Sequence, residues 1–181
     1  VTDGKAVGTY VEHLFQNHLS RKYTMTVGSS ASGIDLPSVN TDIKTTSYVQ
    51  PQSSCPFKSA RQKIFGLGYN LLVFVYNKQD TKTTCTLHIT HCTFIEADYT
   101  ITAALRQMLS VHANKDDIIG LLYDRNVPGD EITYSDLADE ILANPPQQGY
   151  LTISNALQWR LQYKRVIELN NSVGGVVNFV W

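Results

Sequence analysis

Cysteine is scarce in this chain. Only Cys55, Cys85 and Cys92 occur, an odd and small number that argues against a disulfide framework and fits a reducing compartment. No apolar run approaches the length of a membrane span, and Val1 opens no recognisable signal peptide. The reading is therefore a cytoplasmic protein that does not enter a membrane. The first residue is not Met, which points to a trimmed, processed or incomplete N-terminus. Internal repeats and low-complexity tracts are missing, and so is strong charge of either sign, the formal net charge being −1. A protein that coats nucleic acid without regard to sequence would be more basic, because phosphate neutralisation dominates such binding. Site-specific binding through a local positive groove stays open.

What is present describes an ordinary globular chain. Its 181 residues, 43% hydrophobic and 17% charged, suffice for one large domain or a medium domain with a small one. The charge is uneven: residues 1–114 hold 10 Lys+Arg against 7 Asp+Glu, and residues 115–181 hold 5 against 9. The informative stretch is Gly33-Ile34-Asp35-Leu36-Pro37-Ser38-Val39-Asn40-Thr41-Asp42-Ile43-Lys44. It reads as two short strands joined by a Pro-Ser-Val-Asn turn. Ile34 to Leu36 delivers Asp35, and the second strand delivers Asp42 and Lys44 on one side while Ile43 enters the core. Two carboxylates and an ammonium then converge, which suits a hard divalent cation beside a phosphate.

Asp35, Asp42 and Lys44 resemble the motif of the PD-(D/E)xK nuclease superfamily, which includes most type II restriction endonucleases, repair nucleases and Holliday-junction resolvases. The six residues between the acids resemble the spacing in MutH-like mismatch-repair nucleases. The chain departs from the pattern in having Ile34 where proline is usual, and its second acid is Asp where Glu is also common. The resemblance implies that Asp35 and Asp42 bind Mg2+, with Mn2+ able to substitute, and that the Ile43 carbonyl is a further ligand. It also implies that Lys44 activates or orients water. An acid followed by acid-x-Lys occurs by chance about once in a chain of this size, so the flanking elements must supply the context.

They supply it in the expected order. Val7, Tyr10, Val11, Leu14, Phe15 and Leu19 form one face of a helix over residues 6–22, with Glu12 at its edge. Glu12 is a solvated helix residue or, as the resemblance implies, a further catalytic and metal-binding carboxylate. Tyr23 to Val27 reads as a strand. Thr46 and Ser47 follow the lysine strand and are candidates for DNA contact. The predicted helix Phe57–Leu67 carries Lys58, Arg61, Gln62 and Lys63 opposite Ala60, Ile64 and Phe65, a solvated basic face or a DNA groove lining. Tyr69 to Tyr76 reads as a strand buried on both faces, and Thr83 to Ile95 as another. The expected fold class is α/β (α+β mixed), a restriction-endonuclease-like core with a mixed central sheet flanked by helices.

Cys85-Thr86-Leu87-His88-Ile89-Thr90-His91-Cys92 invites a zinc reading. Strand alternation puts Cys85 and His91 on one face and His88 and Cys92 on the other, so four ligands do not converge. Asp98 or Thr100 caps a predicted helix through Ala103 and Met108 to about His112.

A boundary is expected near residue 114, giving a nuclease core over 1–114 and a C-terminal module over 115–181. The module resembles a winged helix. Its helices are Asp116–Arg125, one opened by a Thr133-Tyr134-Ser135-Asp136 capping box, and Ile153–Tyr163, followed by a wing of Val166–Leu169 paired with Val176–Phe179. Asn155 and Gln158 would then read bases, and Arg160, Lys164 and Arg165 would reach phosphates.

The sequence thus predicts a Mg2+-dependent, site-specific endonuclease acting on double-stranded DNA, and the resemblance implies a homodimer in a prokaryotic cell. A nicking repair nuclease or resolvase with the same core, and a non-enzymatic DNA-binding regulator, remain the alternatives.

Overall fold

The computed structural model describes residues 3–24, 28, 33–54, 59–100, 111, 113–147, 149–153, 160–169 and 171–181. Among the described residues the helices are α1 (Gly4–Lys22), α2 (Ala60–Phe65), α3 (Lys115–Asp124), α4 (Glu131–Ala143) and α5 (Lys164–Ile167). The strands are β1 (Thr41–Ser47), β2 (Gln52–Ser54), β3 (Asn70–Asp80), β4 (Cys85–Ile95), β5 (Thr152–Ile153), β6 (Arg160–Gln162) and β7 (Val176–Val180). The chain divides into two compact units: one of residues 1–53, 69–96 and 162–181, the other of 54–68 and 97–161.

The first unit is built on a mixed sheet of order β1-β3-β4-β7, in which β1 and β3 are parallel and the other pairs antiparallel. Leu71, Val73 and Val75 of β3 are fully buried on one face of the sheet. Leu72, Phe74 and Tyr76 point to the other, which α1 covers. Asp3 starts α1 by accepting from the Ala6 N–H at 2.7 Å. Val7 and Val11, four residues apart, then pack with Tyr76, and Phe15 meets Phe74 edge-on at 5.1 Å. The two edges are managed differently. At β7, Val176 exchanges backbone bonds with Val173, and the Asn178 N–H is held by Ser172 Oγ, so the free edge is partly closed. At β1 the outer edge receives Asp35.

β4 carries a bulge opposite the Val75–Tyr76 step. It shifts the alternation, so His88 and His91 share one face, opposite Asn77 and Val75, and Cys85 and Cys92 share the other, opposite Asp80 and Phe74. The expected pairing of Cys85 with His91 is thereby corrected, although the four residues are still divided between the faces.

The second unit has its own core of Ala60, Ile64, Ile118, Leu122, Val127, Tyr134, Leu137, Ala138 and Ile141. A capping box between Asn114 and Asp117 starts α3. Asp130, not Thr133, caps α4, accepting from the Thr133 N–H at 2.8 Å and hydroxyl at 2.6 Å. Beyond α2, Gly66 has φ +108° and stands so close to the Ala97 carbonyl and Thr100 hydroxyl that a β-carbon would crowd both. Thr100 is buried there and accepts from the Leu67 N–H at 3.0 Å.

The winged-helix reading does not survive. Arg160–Gln162 is a strand where the third helix was expected to end, and Lys164–Ile167 is helical where the wing's first strand was expected. Val176–Val180 pairs with β4 instead. The β-branched and aromatic residues of 176–180 suit a wing and a sheet edge equally, and the long-range partner decides. The strand Tyr23–Val27 and the helix through Ala103 to His112 fall largely or wholly outside the described residues, as do Lys58, Asn155 and Gln158.

Candidate nuclease site

β1 is an edge strand of β-branched residues interrupted by Asp42 and Lys44. Its register sets Asp42 opposite Leu71, Lys44 opposite Val73 and Thr46 opposite Val75, so all three share the fully buried face of β3. Ile43 goes to the face covered by α1 and is itself buried. This is the division expected of the lysine strand.

Asp35 arrives differently from expectation. No strand forms at Ile34–Leu36; Asp35 sits in a bend, and only Leu36 pairs, in an isolated bridge with Thr41. That bridge has both bonds, Leu36 N–H to the Thr41 carbonyl at 2.9 Å and the reverse at 3.1 Å. Between them lie the 3-10 turn Pro37–Val39 and Asn40, whose φ of 48° and ψ of 45° are left-handed. The turn returns Asp35 to β1, where its Oδ2 accepts the outward Ile43 N–H at 2.8 Å. The N–H and carbonyl of one strand residue leave on the same edge, so the Ile43 carbonyl also points to the Asp35 side.

Asp42 is 6% exposed and in ion-pair contact with the Lys44 ammonium. Burial pushes its carboxyl up to about 6; Lys44 opposes the rise, and a hydrogen bond with Asp35 adds to it. Asp35, Asp42 and Lys44 therefore meet, with two hard carboxyl groups against one ammonium. Among the described residues no group of three or more His, Cys, Asp or Glu gathers to hold a metal. Two carboxylates fit Mg2+, which keeps several waters and is bound through one or two carboxylates and substrate phosphate.

Glu12 is not brought to this pair. Helix α1 lies over Phe74 and Tyr76, on the sheet face opposite Asp42, and Glu12 accepts a bond from Gln16 at 3.4 Å. Thr46 is 3% exposed and donates its hydroxyl to the carbonyls of Gln50 and Gln52, shaping the loop after β1; Ser47 Oγ accepts the Val49 N–H. Arg61 is exposed, forks onto Glu140 at 2.7 to 3.1 Å and stacks over Phe65. Gln62 donates to the Leu67 carbonyl, and burial lowers Lys63 to about 8. Arg160 is half-buried; Lys164 and Arg165 are exposed, with Glu168 at 3.7 Å from Lys164.

The sequence reading overlooked Asn70, which holds the turn. Its side chain donates to the Val39 carbonyl at 3.2 Å and its N–H to the Asn40 carbonyl at 2.8 Å. Nothing local announces such a role, since its partners lie thirty residues away.

Comparison with known proteins identifies the family. The family model described as "Type II restriction enzyme NspV" matches residues 1–178. The type II restriction enzyme NspV of Nostoc sp. (strain ATCC 29411 / PCC 7524) is 57% identical over 183 residues, which span 98% of this chain and 83% of that protein. No solved structure matches.

Proposed function

The chain belongs to the family of type II restriction enzymes that includes NspV, and from that premise we propose that Asp35, Asp42 and Lys44 are its DNA-cleaving centre. The protein is a site-specific DNA endonuclease, and its substrate is double-stranded DNA. The observation that carries the site assignment is the buried Asp42 carboxyl, held between the Asp35 carboxyl and the Lys44 ammonium at the outer edge of β1.

We read the arrangement as that of a PD-(D/E)xK nuclease, a reading supported by the Asp35, Asp42 and Lys44 side chains meeting at β1. Asp35 and Asp42, joined by the Ile43 carbonyl, are the groups that would hold Mg2+ or Mn2+. When bound, such a cation supplies Lewis-acid polarisation of the phosphodiester and stabilises charge on its oxygens. The protein's own residues do the rest. Hydrolysis needs a water oxygen to add to phosphorus in line as the bond to the leaving oxygen breaks. The Lys44 ammonium orients that water and offsets negative charge building on the phosphoryl oxygens. The Ile43 N–H fixes the Asp35 carboxylate, and the two carboxylates must be ionised together before they hold a cation. Cleaving both strands of a palindrome calls for two such centres, hence a homodimer. The bacterial relative supports a cytoplasmic location in a prokaryotic cell.

Digestion of a sequenced, genome-sized DNA followed by mapping of the ends tests the function. With Mg2+ present, the ends fall at one short recognition sequence, on both strands, and chelation abolishes them. Ends scattered over unrelated sequences, or cutting indifferent to chelator, contradict the reading.

A further inference from the structure

We propose that Asn70 is a positioning residue for the acidic pair. It clamps the Leu36–Thr41 turn to the head of β3 and thereby fixes where Asp35 stands relative to Asp42. The inference rests on reading Asp35 and Asp42 as the carboxylates that hold the divalent cation.

Asp35 lies outside regular structure and needs an external reference to hold its place. One reference is the Ile43 N–H on its carboxylate. The Gly28 N–H, donated to the Asp35 carbonyl at 2.9 Å, is a second, and the Leu36–Thr41 bridge a third; none of these reaches the tip of the turn at Val39 and Asn40. Asn70 holds that tip. Its Nδ2 donates to the Val39 carbonyl at 3.2 Å and lies 3.5 Å from the Thr41 hydroxyl, while its N–H donates to the Asn40 carbonyl at 2.8 Å. Thr41 also donates its hydroxyl to the Val39 carbonyl, at 2.9 Å, so that one acceptor gathers both side chains. Asn40 takes the left-handed conformation that Asn tolerates better than most residues with a β-carbon. The clamp is anchored, because Asn70 pairs with Thr41 across β1 and β3 and is followed by the fully buried Leu71. These bonds go to the turn, so Asn70 acts through Asp35. The spacing of two hard oxygens sets how well they hold a small cation, and a slack supporting shell loosens it.

Mn2+ titration followed by electron paramagnetic resonance, on wild type, Asn70→Ala, Asn70→Ser and Asp42→Ala, tests this. Asn70→Ala raises the Mn2+ Kd by about tenfold, as loss of an outer-shell partner does. The Mg2+ concentration for half-maximal plasmid cleavage rises in parallel, while the rate at saturating Mg2+ stays within about threefold. Asn70→Ser, which keeps a short donor, recovers part of the affinity. Should Asn70→Ala fold poorly, Asn40→Ala strains the same turn and moves the Kd the same way. A variant that loses stability or rate but keeps the wild-type metal dependence, while Asp42→Ala abolishes binding, overturns the role of Asn70. Wild-type Mn2+ binding by Asp42→Ala overturns the metal-site reading itself.

Discussion

On β1, the Asp42 carboxyl is buried and pushed up to about 6, with Asp35 against it and Lys44 as its cation. At α3 and α4, the carboxylates serve local bonds in exposed or half-buried positions. Asp117 closes a capping box, Asp130 is held below the ordinary carboxylate range by its bonds from Thr133, Asp139 meets Lys115 at 2.7 Å, and Glu140 takes Arg61. These groups help begin helices or dress a surface, where each contributes little. At β1 the fold keeps a charge that it disfavours. The two regions share residue types and differ in environment, and the disfavoured charge stands where we place the cleavage centre.

The comparison is sharpest in activity. Asp35→Ala or Lys44→Ala is expected to lower DNA cleavage by on the order of a thousandfold or more with the circular dichroism spectrum unchanged, in a plasmid assay with Mg2+. Core truncation in the helical unit breaks stability instead. Ile141→Ala, at a fully buried position, is expected to cost about 2–5 kcal/mol in denaturant melts while leaving the Mg2+ dependence of the residual folded enzyme intact.

The pH response separates the regions next. Asp42 is raised above the ordinary carboxylate value, so the fold favours its protonated form. Its stabilising contribution is fully present below about pH 4 and is lost as pH rises through about 6. The metal-free protein should therefore gain up to about 3 kcal/mol from this group as the pH falls through that window. Asp42→Asn should flatten this part of the pH–Tm curve, and a curve unaffected by the substitution would deny Asp42 the role. Asp130 has the opposite sign: its contribution is present at neutral pH and lost on acidification. The smallest effect belongs to Arg61→Ala, an exposed pair with Glu140, expected to cost about 0.2–1 kcal/mol in the same melts.

Much of this was legible in the sequence where the signal is local. The helical face of Val7, Val11 and Phe15, the Asp42-Ile43-Lys44 alternation and the apolar run of β3 need only periodicity. Residues 160–169 were not, and although Val176–Phe179 was legible as a strand, its partner was not: it pairs with β4, and Asn178 is tied to Thr93, Val166 and Leu169. The place of Glu12 was not legible either. Helical spacing puts it beside the apolar face of α1, but which side of the sheet α1 covers is a tertiary fact. Likewise Thr46 looks like an exposed polar residue and turns out to be the interior peg of a loop.

The most direct measurement is the single-turnover rate of DNA cleavage by wild type and Asp42→Ala with saturating Mg2+. The account predicts that the wild type cuts at its recognition sequence and that the folded variant is slower by on the order of a thousandfold or more. Cleavage by Asp42→Ala at the wild-type rate would contradict it.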